Sequence, residues 1–136
     1  MDGDDDTVMR SQPVPVAASA AVFTSARLTA LMQVAQAAQW PPVQDIIDAL
    51  TIATQYMGKE EVVVVARPAR DKPLHTFGAL EGSPEYLLSA MRTLPDMDAA
   101  RWLFLGGYGG TGARGACTLA LVATLKCILP HSVRLL

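Results

Sequence analysis

The chain has 136 residues and a mass of 14.5 kDa, the size of one domain, which excludes a cofactor domain joined to a separate substrate domain. Hydrophobic residues make up 51% of the sequence and charged residues 18%, against roughly 25% charged in an average soluble protein. The chain can therefore bury a sizeable core, and global disorder is excluded. Its longest apolar runs are shorter than a membrane-spanning helix requires.

Residues 1–22 are predicted to form a flexible N-terminal arm, and residues 23–136 a single globular domain. The arm begins with an acidic cluster at 2–6 and continues with prolines, valines and alanines. Such a segment cannot bury enough surface to offset the entropy lost when it becomes ordered. We therefore expect that the arm becomes ordered by packing against a neighbouring subunit.

Two amphipathic helices are predicted next. The first begins after Thr24 or Ser25, whose hydroxyls can cap it, and ends at Trp40-Pro41-Pro42. The second runs from about Pro42 to Met57, with Gly58 as its C-terminal cap. We predict that its apolar face is core, with a binding groove as the alternative. That face consists of Val43, Ile46, Ile47, Leu50, Ala53 and Met57.

The middle of the chain contains one clear strand and one clear helix start. Val62–Ala66 is a continuous β-branched run, which is typical of a strand buried on both faces. Ser83-Pro84-Glu85 predicts the start of a helix whose apolar face includes Tyr86 and Leu87. Trp102–Leu105 either closes a short helical turn or forms a second strand, because periodicity cannot assign so short an apolar run.

A glycine cluster at 106–116 leads into a helix that is apolar on nearly all sides and is ended by Pro130. This helix is predicted to be the hydrophobic centre of the structure. The cluster contains G-x-G-x-x-G twice, as Gly107-Gly109-Gly112 and as Gly110-Gly112-Gly115. The second copy lies where a dinucleotide-binding motif would, with the pyrophosphate on the helix N-terminus.

The remaining parts of the dinucleotide-binding motif are not expected in this chain. It requires a strand after the helix and an acidic residue roughly 20 positions on, whereas no acidic residue follows Asp98 and we predict no further strand. A hinge, or close backbone packing against a neighbour, is the simpler role for these glycines. Dinucleotide binding through Gly110, Gly112 and Gly115 is the alternative.

Other residues that could carry chemistry are few. His75 and His131 are far apart and have no acid or cysteine at ligand spacing, so we expect surface or loop positions, not a metal site or a catalytic group. Cys117 and Cys127 lie ten residues apart on the last predicted helix, about 15 Å along its axis, which is too far for a disulfide. They are predicted to be small buried residues. No cofactor is expected.

The net charge of −2 is unevenly distributed. Through Gly58 there are two basic and six acidic residues, a net charge of −4, and from Lys59 onward nine basic and seven acidic residues, a net charge of +2. Neither half has the dense basic stripe of a strong nucleic-acid binder. If the protein contacts nucleic acid, the residues expected to face phosphate are Arg67, Arg70, Lys72 and Arg114.

Together these features predict a helix-rich α+β fold with an N-terminal arm, a helical hairpin, one or two short buried strands and a C-terminal apolar helix, but not a complete Rossmann fold. They favour a structural subunit, not an enzyme, that packs with copies of itself or other subunits into a particle. A viral coat or nucleocapsid protein is one example. An adaptor whose helical pair, Ala26–Met57, accepts a peptide is another alternative. The low cysteine content favours a location inside the cell or within a viral particle.

Overall fold

The structure is a computed structural model that describes residues 23–61, 71–94, 96–110 and 114–136. The predicted arm at 1–22, the predicted strand at Val62–Ala66, and Arg67, Arg70 and Gly112 lie outside the described residues. The described elements are the helices α1 (Ser25–Gln36), α2 (Val43–Met57), α3 (Glu85–Thr93) and α4 (Gly115–Ile128), the strands β1 (Leu74–Phe77), β2 (Arg101–Phe104) and β3 (Val133–Leu135), and a 3₁₀ turn at Met97–Ala99.

The three strands form one parallel sheet in the order β1-β2-β3. Because parallel neighbours require a crossover connection, α3 lies between β1 and β2 in the chain, and α4 lies between β2 and β3. Trp102 of β2 has His75 as its partner on one side and Val133 on the other. The predicted helix-rich α+β class is confirmed. Of the three described strands, β2 lies on the run that was predicted as a possible strand, whereas β1 and β3 were not predicted.

The expectation that no strand follows the last helix is wrong. β3 pairs with β2 in parallel, so β2, α4 and β3 make a complete βαβ unit. β3 is only three residues long and has Arg134 at its centre, too short a segment for an alternating pattern to be recognised. The apolar run that could not be assigned before the glycine cluster is a strand, β2.

The main core joins the sheet to α1, α3 and α4. Trp102 and Phe104 of β2 are fully buried, and Phe77 of β1 stacks on Phe104 with ring centroids 4.9 Å apart. Ten residues of α4, from Cys117 to Cys127, are buried. This confirms the prediction that the C-terminal helix is the hydrophobic centre, as expected for a helix apolar on all sides.

α1 begins as predicted but ends earlier. The Thr24 hydroxyl caps it by accepting the backbone N–H three residues on, at 3.4 Å. The helix ends at Gln36 because Ala38 adopts a left-handed conformation, with φ +54°. The Gln39 N–H then donates to the Val34 carbonyl at 3.0 Å, which is the closing hydrogen bond of a Schellman motif. A backbone turn, rather than the prolines that follow, ends this helix.

α3 differs from its prediction in two ways. The Ser83 hydroxyl donates to the Glu85 carboxylate instead of capping the backbone. This hydrogen bond, with a backbone N–H and the nearby Arg114, lowers the pKa of Glu85. Leu87 is buried as predicted, but Tyr86 is 75% exposed and lies outside the apolar face.

Candidate functional site

Four large apolar side chains on α2 and on the corner before it are exposed. Trp40 is 71% exposed, Val43 70%, Ile47 49% and Met57 38%. The three on α2 lie on one side of the helix because their spacing follows its period. We call these four residues the α2 face. The prediction that this apolar face is core is wrong for Val43, Ile47 and Met57 and confirmed for Ala53, which is buried.

α2 packs on α4 through a different, smaller strip. Ala49 and Ala53 are buried and contact Ala123 and Cys127 of α4. Small side chains let two helix backbones approach closely. Leu50 and Ile52 are partly buried against this contact, whereas Val43, Ile47 and Met57 lie outside it. The periodicity of apolar residues predicted the position of this helix correctly, but it could not show which side of the helix packs on α4.

The α2 face carries no charge. From 40 to 58 the charged residues are Asp45 and Asp48, and both are turned to Arg27 of α1, at 2.7 and 3.3 Å. Gln44 also donates to Asp48 at 2.7 Å. This hydrogen bond and the Arg27 guanidinium lower the pKa of Asp48, so the acid remains ionised and bound to α1. The charges of α2 thus belong to the α1–α2 contact.

The polar groups beside the α2 face are satisfied within the helix. The hydroxyls of Thr51 and Thr54 donate to the carbonyls of Ile47 and Leu50, each at 2.7 Å. Because these hydroxyls already have acceptors, neither requires a hydrogen bond from a partner. With a helical rise of about 1.5 Å per residue, the uncharged strip is about 22 Å long.

The glycine cluster lies at the carboxyl edge of the sheet, between β2 and α4, and packs against the loop between β1 and α3. The N–H groups of Leu80 and Glu81 both donate to the Gly107 carbonyl, at 3.0 and 2.9 Å. The Gly82 N–H donates to the Tyr108 carbonyl at 3.1 Å. The two loops therefore hold each other by backbone hydrogen bonds.

This close approach explains why the cluster is glycine-rich. A Cβ on Gly107 would lie 2.7 Å from the Ala79 Cβ, and one on Gly110 would lie 2.6 Å from the Glu81 Cα. A Cβ on Gly115 would lie 2.8 Å from a carbonyl oxygen of its own loop. Gly107 and Gly110 also have positive φ angles, +67° and +47°, which favour glycine. These positions have the close backbone packing given above as the simpler role.

The surroundings of the glycine cluster include one feature that favours dinucleotide binding and two that oppose it. The βαβ unit supplies the following strand that the motif requires. However, the Gly107 carbonyl accepts two hydrogen bonds from the neighbouring loop, and the Glu81 carboxylate lies beside Gly110. A carboxylate repels the phosphates that this motif holds. Gly115 opens α4, while Gly112 is outside the described residues.

Two of the four predicted phosphate contacts are described, and both have internal partners. The Arg114 guanidinium pairs with Glu85 and donates to the Ala35 carbonyl, and its side chain is 27% exposed. The Lys72 ammonium donates to the Asp98 carbonyl at 2.9 Å. The structure does not bring Lys72 and Arg114 into one basic patch: Arg114 contacts α1 and α3, whereas Lys72 lies before β1 against the 3₁₀ turn.

Sequence reasoning missed a buried cluster at the end of α4. Lys126 is fully buried; its ammonium donates to the carbonyls of Pro130 and Val133, each at 2.7 Å, and pairs with Glu60. Arg134 binds the same carboxylate. Burial lowers the pKa of Lys126, and Glu60 opposes that shift. The one signal was a lone lysine on an apolar helix, which does not reveal an acid 66 residues away in the chain.

Of the two histidines and two cysteines, all but His75 lie where they were predicted to lie. His131 is exposed in a turn, and both Cys117 and Cys127 are buried, as predicted. Burial raises the pKa of Cys127 to about 12. His75, expected on the surface or in a loop, is instead half-buried on β1, with its ring centroid 5.5 Å from that of Trp102.

In the part of the chain that the structure describes, no group of three or more histidine, cysteine or acidic residues is placed to hold a metal ion. Among the same residues, no helix has both the length and the apolar character needed to cross a membrane. No protein-family model matches the chain, and no curated protein matches its sequence. Its function is therefore inferred from the geometry of the described residues.

Proposed function

We propose that this protein is a structural subunit that joins other subunits of a homo- or hetero-oligomeric particle through the α2 face. The observation that supports this role is the exposed, uncharged strip of Trp40, Val43 and Ile47. Soluble domains seldom expose contiguous apolar side chains unless a partner covers them. Removing apolar surface from water in a subunit contact contributes roughly 25 cal/mol for each Å², from which the entropy lost on association is subtracted.

Two further features complete the proposal. Residues 1–22 supply a second contact, as their composition predicts, and the particle lies inside the cell or is itself of the coat or nucleocapsid kind. The protein acts by packing and carries out no reaction. Nucleic acid is not assigned to Lys72 and Arg114, because both side chains already have internal partners.

The test is the mass of the full chain in solution, measured by light scattering across a wide range of concentration. We expect discrete oligomers for the wild type and a large loss of association for Val43→Asp. Val43 is the first residue of α2, where an acid interacts favourably with the helix dipole, so this change removes apolar surface without weakening the helix.

The matched control is Ala26→Asp. Ala26 is exposed in the first turn of α1, so this variant adds the same charge near a helix N-terminus at a residue that does not belong to the α2 face. It should assemble like the wild type. A wild type that stays monomeric at every concentration, or an assembly that both variants leave intact, would contradict the proposal. Deletion of residues 1–22 then measures the contribution of the arm, and absorbance at 260 nm reports any bound nucleic acid.

A second candidate function, dinucleotide binding by the glycine cluster, is favoured by one observation, the complete βαβ unit around it. Equilibrium dialysis of the full chain against NAD⁺ tests it. Retention of NAD⁺ that becomes stronger in Glu81→Gln would support this candidate, because the change removes the negative charge beside Gly110. Equal NAD⁺ on both sides of the membrane for both proteins would eliminate it.

A further inference from the structure

We infer that Lys126, Glu60 and Arg134 form a pH-sensitive switch, in which the Lys126 ammonium holds the turn after α2 against β3 and releases it when the ammonium loses its proton. We call these three residues the Lys126 cluster. The switch lies within the fold and is independent of the proposed function. Its basis is the number of donors and acceptors at the lysine nitrogen, and which of those acceptors can reach water.

The Lys126 ammonium has one donor for each oxygen around it. Its three N–H groups are directed at the Pro130 and Val133 carbonyls, each at 2.7 Å, and at the Glu60 carboxylate. A neutral amine has only two N–H donors, and its lone pair then faces the remaining oxygen. Deprotonation therefore leaves one of the three oxygens without a donor.

The oxygen that is released belongs to Glu60. Val133 is fully buried in β3, and Pro130 lies in the turn that joins α4 to β3, so both carbonyls are fixed by the backbone. The Glu60 side chain is 16% exposed and has a second cation, Arg134, as a partner. A carboxylate with access to water loses less free energy on release than a buried carbonyl does. The neutral amine is thus expected to keep the α4–β3 turn closed and to release the turn after α2.

The charges around Lys126 set the direction of the switch. Burial lowers the pKa of Lys126, Glu60 opposes that shift, and the like charge of Arg134 adds to it. Burial raises the pKa of the neighbouring Cys127 to about 12, so its thiol remains neutral while Lys126 titrates. The contact is therefore closed at low pH and opens at a lower pH than that at which an ordinary lysine loses its proton.

Among the described residues, the other titratable groups of α1, α2 and the adjoining turns are not hydrogen-bond or ion-pair partners of Lys126. They are Arg27, Asp45, Asp48, Tyr56, Lys59, Glu61 and His131.

The experiment follows the full chain by NMR, with ¹³C in the side chains of lysine and glutamate. The sequence has three lysines and four glutamates, so the signals are few, and the lysine signal that is missing from Lys126→Met identifies Lys126. We expect its Cε signal to titrate at a lower pH than it does in the urea-unfolded chain. The Glu60 carboxyl signal should shift with the same midpoint.

Three variants distinguish the switch from a lysine that is merely buried. Glu60→Gln removes the charge that favours the ammonium, so it should move the Lys126 midpoint to still lower pH. Glu61→Gln is the matched control, because it makes the same change one residue on at an exposed side chain, and it should leave the midpoint where it is. Arg134→Met removes a like charge and should move the midpoint to higher pH, which preserves the test if Glu60→Gln does not fold.

A Lys126 midpoint at or above that of the unfolded chain would overturn the inference. A Glu60 signal that stays constant while Lys126 loses its proton would also overturn it, because the turn would then be held without the charge. Equal shifts in the two glutamine variants, or unfolding of the whole domain before Lys126 titrates, would show that no separate switch exists.

Discussion

Lys126 has a charged side chain but lies fully buried in the interior of the protein. It is a fully buried cation with three oxygen partners, from Glu60, Pro130 and Val133. Burying an ammonium costs several kcal/mol unless its donors are satisfied. Here one charge and two backbone carbonyls satisfy them. The lysine thereby ties the turn after α2 to the last strand.

Lys126→Met should lower the free energy of unfolding by about 3 kcal/mol, because it leaves two buried carbonyls without their donor and removes one of the two cations bound to Glu60. Arg134→Met is the matched change, since Arg134 binds the same Glu60 carboxylate from a side chain that is 34% exposed. It should cost less than about 1 kcal/mol. Urea unfolding at neutral pH measures both, and equal costs would contradict this account of the cluster.

Ala38 is a second residue with a marked local strain. Its φ of +54° is in the left-handed region, which costs a residue with a Cβ about 1–2 kcal/mol. Ala38→Gly should therefore raise the free energy of unfolding by about 1 kcal/mol, after allowing for the greater freedom of glycine in the unfolded chain.

Its neighbour provides the control for this prediction. Ala37 has an ordinary φ of −74°, so Ala37→Gly should lower the free energy of unfolding by about 0.5 kcal/mol. Thermal unfolding of the two variants gives the comparison. Two changes of the same sign would mean that Ala38 does not end α1 in the left-handed conformation.

Among the elements of the fold, the glycine cluster allows its own loop to pack closely against the loop between β1 and α3. Gly110→Ala would force a Cβ against the Glu81 backbone at a φ of +47°, and it should lower the free energy of unfolding by about 2 kcal/mol or more. Among the described residues, no atom lies within 4 Å of a Cβ placed on Gly109.

Gly109→Ala should therefore change the free energy of unfolding by less than about 0.5 kcal/mol. Denaturant unfolding of the two variants shows whether these glycines are required for close packing between the loops or only make the loop flexible. Two similar, small costs would show that the loops do not pack as closely as described.

The helices could be predicted where a long pattern specifies them. α2 was predicted to run from about Pro42 to Met57 and has the bounds Val43–Met57, because its apolar spacing persists over four turns. The burial of α4 followed from its apolar character on every side. In both cases the information is local and repeated, so one sequence is sufficient.

The sheet and the α2 face could not be predicted in the same way. β1 and β3 are short segments centred on polar or charged residues, Leu74–Phe77 and Val133–Leu135, and they become strands only because β2 lies between them. The exposure of Val43 and Ile47 depends on α4 accepting the alanine strip instead. Both outcomes are decided by tertiary contacts, which periodicity does not contain.

At the scale of the whole molecule, α4 is the centre against which the other elements pack. It contacts α1, α2 and β3, and this arrangement buries Ala49 and Ala53 of α2 and leaves Val43, Ile47 and Met57 exposed. The domain therefore has a filled core together with an exposed strip that adds nothing to its own stability. Such a division is expected of a subunit whose packing is completed by a partner.

Trp40 reports directly on whether a partner covers the α2 face. The full chain has two tryptophans; Trp40 is exposed and Trp102 is fully buried, so only Trp40 should respond to a quencher in water. The decisive measurement is acrylamide quenching of tryptophan fluorescence as the protein is concentrated. We predict that quenching decreases as oligomers form, and that Val43→Asp prevents the decrease. Strong quenching that is the same at every concentration, in a protein whose mass rises, would show that assembly does not use the α2 face.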